Sequence, residues 1–551
     1  MTRDRLFRRP IPWRSILFVA GGAYALLSIW SLPWFPFVHS DEVWLASLTR
    51  EMIADRSVTA TEPFFELTPR HPHAIKTLYH LIQAPFVAVS FSPVAARMPS
   101  LLAGLILVAT VYLLLRSLAV SRAVALSVTA AAALDPSILS ASHLGRQEAL
   151  LAAAMVGGAL AIHRARRPGM VAGVIVGVAI FIHPNAFILS LALLPWVGRR
   201  PRAILAYAAI VAAFAALAVT ASFAMDPDFL TNYLSFGESV GVTASPLARL
   251  FGFRAFLMKL LLRAAGTYYL PPVRATFLAG AVTVGVTLVV RVAGWWSGRS
   301  SGGGSDQAAS AQTTGTGTGG ETAPLRTAPI LSLLATAIGI FLIGKYSPPI
   351  AVFFVPWIYL QTGLLLQWAQ VRAPAGRLIA LAASVALLAG SGAILAHELV
   401  QTHPSTTGGD YMALSVRISD ILEEHHLAGR AVLANLNLGF MLDGEELLAF
   451  HDFASLAEEE DLDIVLQRRE VEVVILPETE FDLIYRERPV WNDLYGNPTR
   501  FVPDLRTLLE RDGVRIATVE APVYGMRIVS RWDPGVPPVL GIYALVRERP
   551  R

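Results

Sequence analysis

The sequence predicts a polytopic α-helical membrane protein followed by a soluble α/β domain, and three observations carry that prediction. Only 16% of its 551 residues are charged while 54% are hydrophobic, against about 25% charged in ordinary soluble domains. Apolar runs approaching the roughly 20 residues needed to cross a bilayer recur along the first 400 positions. The charge also divides: residues 1–399 carry a net +15 and residues 400–551 a net −11. A basic membrane body thus precedes an acidic tail long enough for one domain.

The amino terminus, MTRDRLFRRPIPWR followed by ILFVAGGAYALLSIW, has no small-residue cleavage site before HSDE and is read as a retained signal anchor. Spans are expected at 14–34, 95–115, 123–142, 147–163, 169–182, 185–198, 203–224, 273–292, 328–344, 348–368 and 376–398. Two of them, 169–182 and 185–198, are short and meet at His183-Pro184-Asn185, as in a tight hairpin. Residues 74–92 decide the topology. If they lie in the interface as a juxtamembrane helix, every short basic loop falls on one face, as the bias of Lys and Arg toward cytoplasmic loops requires. Lys76, His80 and Gln83 also suit an interfacial helix. The expectation is therefore about eleven transmembrane helices, with juxtamembrane helices in an outer loop over 39–94. The amino terminus is cytoplasmic and the tail outside, in a plasma (inner) membrane.

Residues 297–327 are rich in Gly, Ser and Thr and read as a flexible cytoplasmic linker between spans of the 1–399 body. In the tail, 400–551, helical patterning around 411–428 and 455–468 alternates with the strand-like runs RAVLANL, VEVVILP, VRIATVE and IYALVRE. That alternation predicts a small α/β domain. With no cysteine in the chain, disulfides and thiolate chemistry are excluded. The pI near 9.3 reflects the membrane body and gives no reason to expect nucleic acid.

With that topology the isolated ionisable residues at span ends collect on the outer face. Asp41-Glu42 is the sharpest pair, since a partly desolvated carboxylate makes a competent proton acceptor. The competing reading is a hydrated helix end, and His39 beside the pair reads as a bystander. In HPHAIK, residues 71–76, Lys76 could meet a lipid phosphate as a point charge or simply snorkel. In SHLGRQEALL, Arg146 and Glu148 suit either a phosphate contact or an ordinary ion pair. Lys345 in GKYSPP is the one charge between two apolar spans, and His183-Pro184 breaks a helix or lines a substrate. No HExxH or Walker motif is present. A divalent cation is the one cofactor that two carboxylates near a phosphate could hold.

The order of these segments carries a resemblance: the acidic pair, then HPHAIKTLYHLI, PVAARMPSLLAGLILVATVYLLLR, SHLGRQEALLAAAMVGGALAI, GVIVGVAIFIHPNAFILSLALL and KYSPPIAVFFVPWIYL. Across about residues 10–400 the chain resembles the GT-C superfamily of membrane glycosyltransferases. Within it, the likeness is to the dolichyl-phosphate-mannose protein mannosyltransferase and lipid A aminoarabinose transferase branch, which is glycosyltransferase family 39-like. The resemblance implies a polyprenyl-phosphate-linked sugar donor and inverting transfer of a hexosyl or pentosyl group on the outer face. The acceptor would be a protein, lipid or glycan. It makes Asp41 the general base and Glu42 its assistant. Lys76, Arg97, Arg146 and Lys345 would hold the donor phosphate, and His71, Glu148 and His183 would line the substrate. HPHAIK lacks the second proline of the relatives' element, and His183 stands where many relatives have Lys. A transporter and a non-catalytic envelope scaffold are the alternatives; acids at span ends instead of the midplane weigh against the transporter.

Overall fold

The computed structural model describes residues 13–62, 64, 71–239, 244–263, 268–300, 327–344, 346–372, 375–407, 410–443, 446–450, 461–482, 501–521, 523–524 and 538–546. Its first part is helical throughout: α1 (Trp13–Ser31), α2 (Ser40–Ala54), α3 (Thr77–Val87), α4 (Pro93–Ser117), α5 (Arg122–Ala133), α6 (Pro136–Ser142), α7 (Glu148–Arg164), α8 (Pro168–Ile180), α9 (Ala186–Val197) and α10 (Pro201–Met225). It continues through α11 (Phe229–Ser239), α12 (Pro246–Leu262), α13 (Arg274–Ser300), α14 (Ala328–Ile343), α15 (Val355–Arg372) and α16 (Gly376–Thr402).

Among the described residues, five helical stretches are long and apolar enough to cross a membrane: α4, α10, α13 as far as Ala293, Pro348–Arg372 and α16. A sixth arises if α5 and α6, bent by 61° at their junction, count as one span. The rest of the expected eleven are shorter. The helices α8 and α9 have 13 and 12 residues, so each rises only about 18–20 Å where the hydrocarbon core is about 30 Å thick. Run 74–92 yields only the 11-residue α3, interrupted by Pro85, which is too short to span. Of the expected linker, 301–326 lies outside the described residues.

Close helix contact explains the glycine spacing GMVAGVIVG in α8. A Cβ at Gly173 would lie 2.7 Å from Ile210 Cβ, and one at Gly177 would lie 2.4 Å from the Phe214 ring, both on α10. Small residues every fourth position let backbones approach where lipid offers no hydrophobic drive to association. The body's core, centred on Leu107, Val128, Leu189, Phe353 and Trp357, is fully buried.

After α16 come α17 (Pro404–Thr407), α18 (Tyr411–Glu424), β1 (Ala431–Ala434), β2 (Glu446–Ala449), α19 (Leu462–Arg468), β3 (Val471–Pro477), α20 (Glu478–Asp482), α21 (Phe501–Asp512), β4 (Gly513–Glu520) and β5 (Val539–Leu545). The sheet order is β2-β1-β3-β5-β4. β1 runs parallel to β2 and β3, and β5 runs antiparallel to β3 and β4. The four strand-like runs read in the sequence become β1, β3, β4 and β5, while β2, only four residues long, was not foreseen.

Alternation along the strands divides two apolar layers. Val432, Ala434, Val473, Ile475, Leu540 and Ile542 face α18 and also Val43, Ala46 and Ala96 of the membrane body. Leu433, Val474 and Leu545 face α19 and α21. Both faces are covered, which is why these strands read as nearly continuous apolar runs. The first face seats the sheet directly on α2, where Gly439 approaches Val43 so closely that a Cβ would lie 2.4 Å from its Cγ1.

Candidate functional site

The site is built on the first turn of α2. His39 is its N-cap: Nδ1 accepts the Asp41 N–H at 3.0 Å, and Glu42 Oε1 accepts the His39 N–H at 2.9 Å. This reciprocal capping box, with His in the place usually taken by Ser or Thr, satisfies two orphan donors. The helix N-terminus also favours carboxylates. Adjacent residues on a helix lie about 100° apart, so Asp41 and Glu42 point in different directions.

Glu42 points inward and is fully buried. Its Oε2 accepts from Arg97 Nε at 2.7 Å and from the Gly145 N–H at 2.8 Å, and its Oε1 accepts from Arg97 Nη2 at 2.9 Å. Arg97, itself fully buried, also donates to the carbonyls of Leu32 and Pro36 at 2.8 and 2.9 Å. These bonds tie the end of α1, the α1–α2 loop, α2, α4 and the α6–α7 loop together. They also change the part expected of Arg97: its guanidinium is consumed inside the protein, so it braces the fold and does not reach a phosphate. Nearby, the His143 imidazole is pushed down to about 3 by burial first and by the Arg97 charge second. Its Nδ1 lies 3.1 Å from the Phe35 carbonyl.

Asp41 points outward, with 27% of its side chain exposed. Its Oδ2 takes the hydroxyl of Tyr268 and an ion pair from Arg146 Nη1. Among the described residues Oδ1 accepts no hydrogen bond; the nearest polar side-chain atom paired with it, His39 Nδ1 at 3.6 Å, is itself an acceptor. Arg146 further donates to Glu148 Oε1 at 2.8 Å through Nη2 and to the Tyr268 hydroxyl at 2.5 Å through Nη1. Burial opposes its charge, but Glu148 and Tyr268 outweigh that, so its affinity for the proton rises. Arg146 therefore holds Asp41, with its remaining reach spent on Glu148. Glu148, expected to line the substrate, is 1% exposed and paired with Arg146, the residue expected to meet the phosphate.

The other expected residues lie around this centre. Lys76 sits just before α3, its Nζ 5.2 Å from the ring of Trp44, one turn along α2 from Asp41. Its backbone φ of 145° is in the region that favours glycine. His71 is 49% exposed and 3.8 Å from Asp226. His183 is buried, its Nδ1 accepting the Asn185 N–H at 3.1 Å in the turn before α9. The Leu78 N–H donates to the Phe181 carbonyl at 3.0 Å, which brings the α8–α9 turn to the Lys76 turn. Lys345 lies outside the described residues.

Three participants escaped the sequence reading. His39 is a cap and stacks on Tyr268, ring centroids 3.8 Å apart and planes 7° off parallel. Tyr268 touches both Asp41 and Arg146. Glu398 of α16 holds the loop that carries Tyr268, accepting from Tyr269 at 2.5 Å and from Arg263 at 2.9 and 2.8 Å. The adjacent tyrosines before Pro271-Pro272 were a signal for that loop. A small cleft of about 40 Å³ opens next to this centre, lined by Ser40, the neighbour of Asp41. His39 and Tyr268 lie on its wall, and Asn435, Asn437 and Tyr524 come to it from the sheet. Among the described residues no three His, Asp or Glu side chains gather as a metal-ligand set.

Comparison with known proteins bears on this centre. Residues 78–315 match the family description Glycosyltransferase family 87. The motif resemblance points to the family 39-like branch instead, and both are descriptions of glycosyltransferases. The crystal structure of ArnT from Cupriavidus metallidurans bound to undecaprenyl phosphate is 14% identical, covers 97% of this chain and 98% of its own, and has a TM-score of 0.49. The apo structure of the same protein is 14% identical, covers 86% and 95%, and has a TM-score of 0.46. No curated protein matches the sequence.

Proposed function

We propose that the chain is a membrane glycosyltransferase that moves a sugar from a polyprenyl-phosphate donor to an acceptor hydroxyl, with Asp41 as general base. The observation that carries this reading is the state of Asp41. One carboxylate oxygen is fixed by Arg146 and Tyr268, while the other makes no hydrogen bond among the described residues; the neighbouring His39 and Ser40, and Tyr268 itself, line a cleft. The family match over 78–315 supports the reaction class.

In this scheme the acceptor oxygen attacks the anomeric carbon as Asp41 Oδ1 takes its proton. The bond from that carbon to the donor phosphate oxygen breaks with inversion, and the phosphate leaves as an anion that needs no proton. Lys76 is the cation placed to meet that charge, and His71 and His183 flank its side of the site. Arg146, Tyr268 and Glu148 position the base. The 1–399 body is the catalytic part and the 400–551 part covers it on the outer face of the plasma membrane. The transferred unit is a hexose or pentose.

The test is transfer from a radiolabelled polyprenyl-phosphate sugar by purified, reconstituted protein. Asp41→Asn should lose about 10²–10⁴-fold in rate. Undiminished transfer by that variant would remove Asp41 as the base.

A further inference from the structure

The cleft next to the Asp41 centre is walled on one side by the turn that follows β1. Asn435 and Asn437 are 3% and 8% exposed. Among the described residues, Asn435 Nδ2 and Asn437 Oδ1 have no hydrogen-bond partner. Buried polar atoms are nearly always paired, so these two residues of the cleft wall carry hydrogen-bonding capacity that the protein itself leaves unused. The pair supplies one donor and one acceptor without charge.

The rest of the wall has the same character. Among the described residues no Asp, Glu, Lys or Arg side chain lines the cleft, whereas the rings of Tyr268, Tyr269 and Tyr524 do. A neutral, polyhydroxylated molecule finds amide dipoles here for its hydroxyls and aromatic faces for its C–H surface. The topology agrees. β1 lies between β2 and β3, both parallel to it, so the chain leaves β1 for one side and returns on the other. Crevices outside the carboxyl ends of strands at such a switch point are where open α/β sheets bind ligands, and Asn435 immediately follows the carboxyl end of β1.

We infer that the C-terminal sheet contributes the acceptor subsite, in which Asn435 and Asn437 bind the sugar ring of a glycan or glycolipid acceptor, so that a polyhydroxylated acceptor is selected over a protein serine or threonine. This rests on the glycosyltransferase reading of the same centre.

The test uses the full chain in lipid nanodiscs. Ligand-observed saturation-transfer NMR is run with methyl hexopyranosides, methyl pentofuranosides and their disaccharides, with a glycolipid in the nanodisc, and with a Ser/Thr-rich peptide. Saccharide binding is expected in the wild type and about tenfold weaker in Asn435→Leu and in Asn437→Leu, roughly one hydrogen bond each. Both variants should melt no lower than wild type, because each loses a buried polar group that the empty protein leaves unpaired. Binding of soluble glycosides marks a soluble glycan as the source, and binding of the glycolipid alone marks a lipid-borne one. Hydrogen exchange on the wild-type protein gives a readout independent of variant folding: saccharide should protect the backbone amides of 435–437. Stronger binding of the peptide, equal saccharide binding by the leucine variants, or no protection at 435–437 would overturn the inference. Saccharide binding should persist in Asp41→Asn. If that variant also transfers sugar normally, the base assignment fails while the subsite stands; if only the asparagine results fail, the reverse holds.

Discussion

Arg97 grips both oxygens of Glu42, Nε to Oε2 at 2.7 Å and Nη2 to Oε1 at 2.9 Å, with neither side chain exposed to solvent. Removing one partner of a buried pair leaves an uncompensated charge and costs about 3–5 kcal/mol. Arg97→Met and Glu42→Leu should each lower the melting temperature strongly in detergent. The double replacement should be milder than the sum, with the coupling read from the double-mutant cycle. Additive losses would deny the pair its bracing role.

Lys76 offers a cleaner test of donor binding than most cations do, because of its backbone. A non-glycine residue held at φ 145° stores strain of about 1–3 kcal/mol, which glycine relieves. Lys76→Gly therefore removes the ammonium group while holding or raising stability. Donor KM should rise about tenfold or more, and Lys76→Arg should recover part of it. An unchanged donor KM in Lys76→Gly would place the phosphate elsewhere.

What could be read in advance followed from local patterning. Apolar runs marked the helices, short strand-like apolar runs marked four of the five strands, and the Asp41-Glu42 pair marked the first turn of α2, where the candidate site is built. Roles divided less well, because they depend on which way a side chain turns. Glu42 and Asp41 are neighbours in sequence, yet α2 sends one to Arg97 and the other to Arg146. Arg97 and Arg146 had the chemistry for phosphate, but only tertiary structure reveals that their donors are already occupied. Tyr268, 227 positions from Asp41, and Asn435 on the sheet reach the centre through long-range packing that no local pattern encodes.

His143 predicts a pH dependence of stability. Its folded pKa of about 3 lies below the ordinary value of about 6.5, so between those values the unfolded chain binds a proton that the folded chain refuses. Stability then rises with pH across that window and is lost as pH falls through it, by up to a few kcal/mol. Thermal melts of the wild type should drop progressively from about pH 6.5 toward pH 4. His143→Gln, which cannot titrate, should show a shallower decline. Parallel curves would assign the acid sensitivity to other groups.

Tyr268 gives the last prediction, because it connects Asp41 to a support on another helix. Its hydroxyl donates to Asp41 and accepts from Arg146 at 2.5 Å. Tyr268→Phe keeps the stack on His39 but frees Asp41 to turn. The rate constant for transfer should fall about tenfold, the worth of one charge-assisted hydrogen bond, with donor KM held. Glu398→Ala acts from further away. It releases Tyr269 and Arg263, whose Nε also holds the Leu270 carbonyl at 2.8 Å. The loop then loses its anchor, and part of the same rate loss should appear. Because both changes act through the placement of one hydroxyl, their combination should cost little more than Tyr268→Phe alone. Fully multiplicative losses would show that Glu398 supports something other than Tyr268.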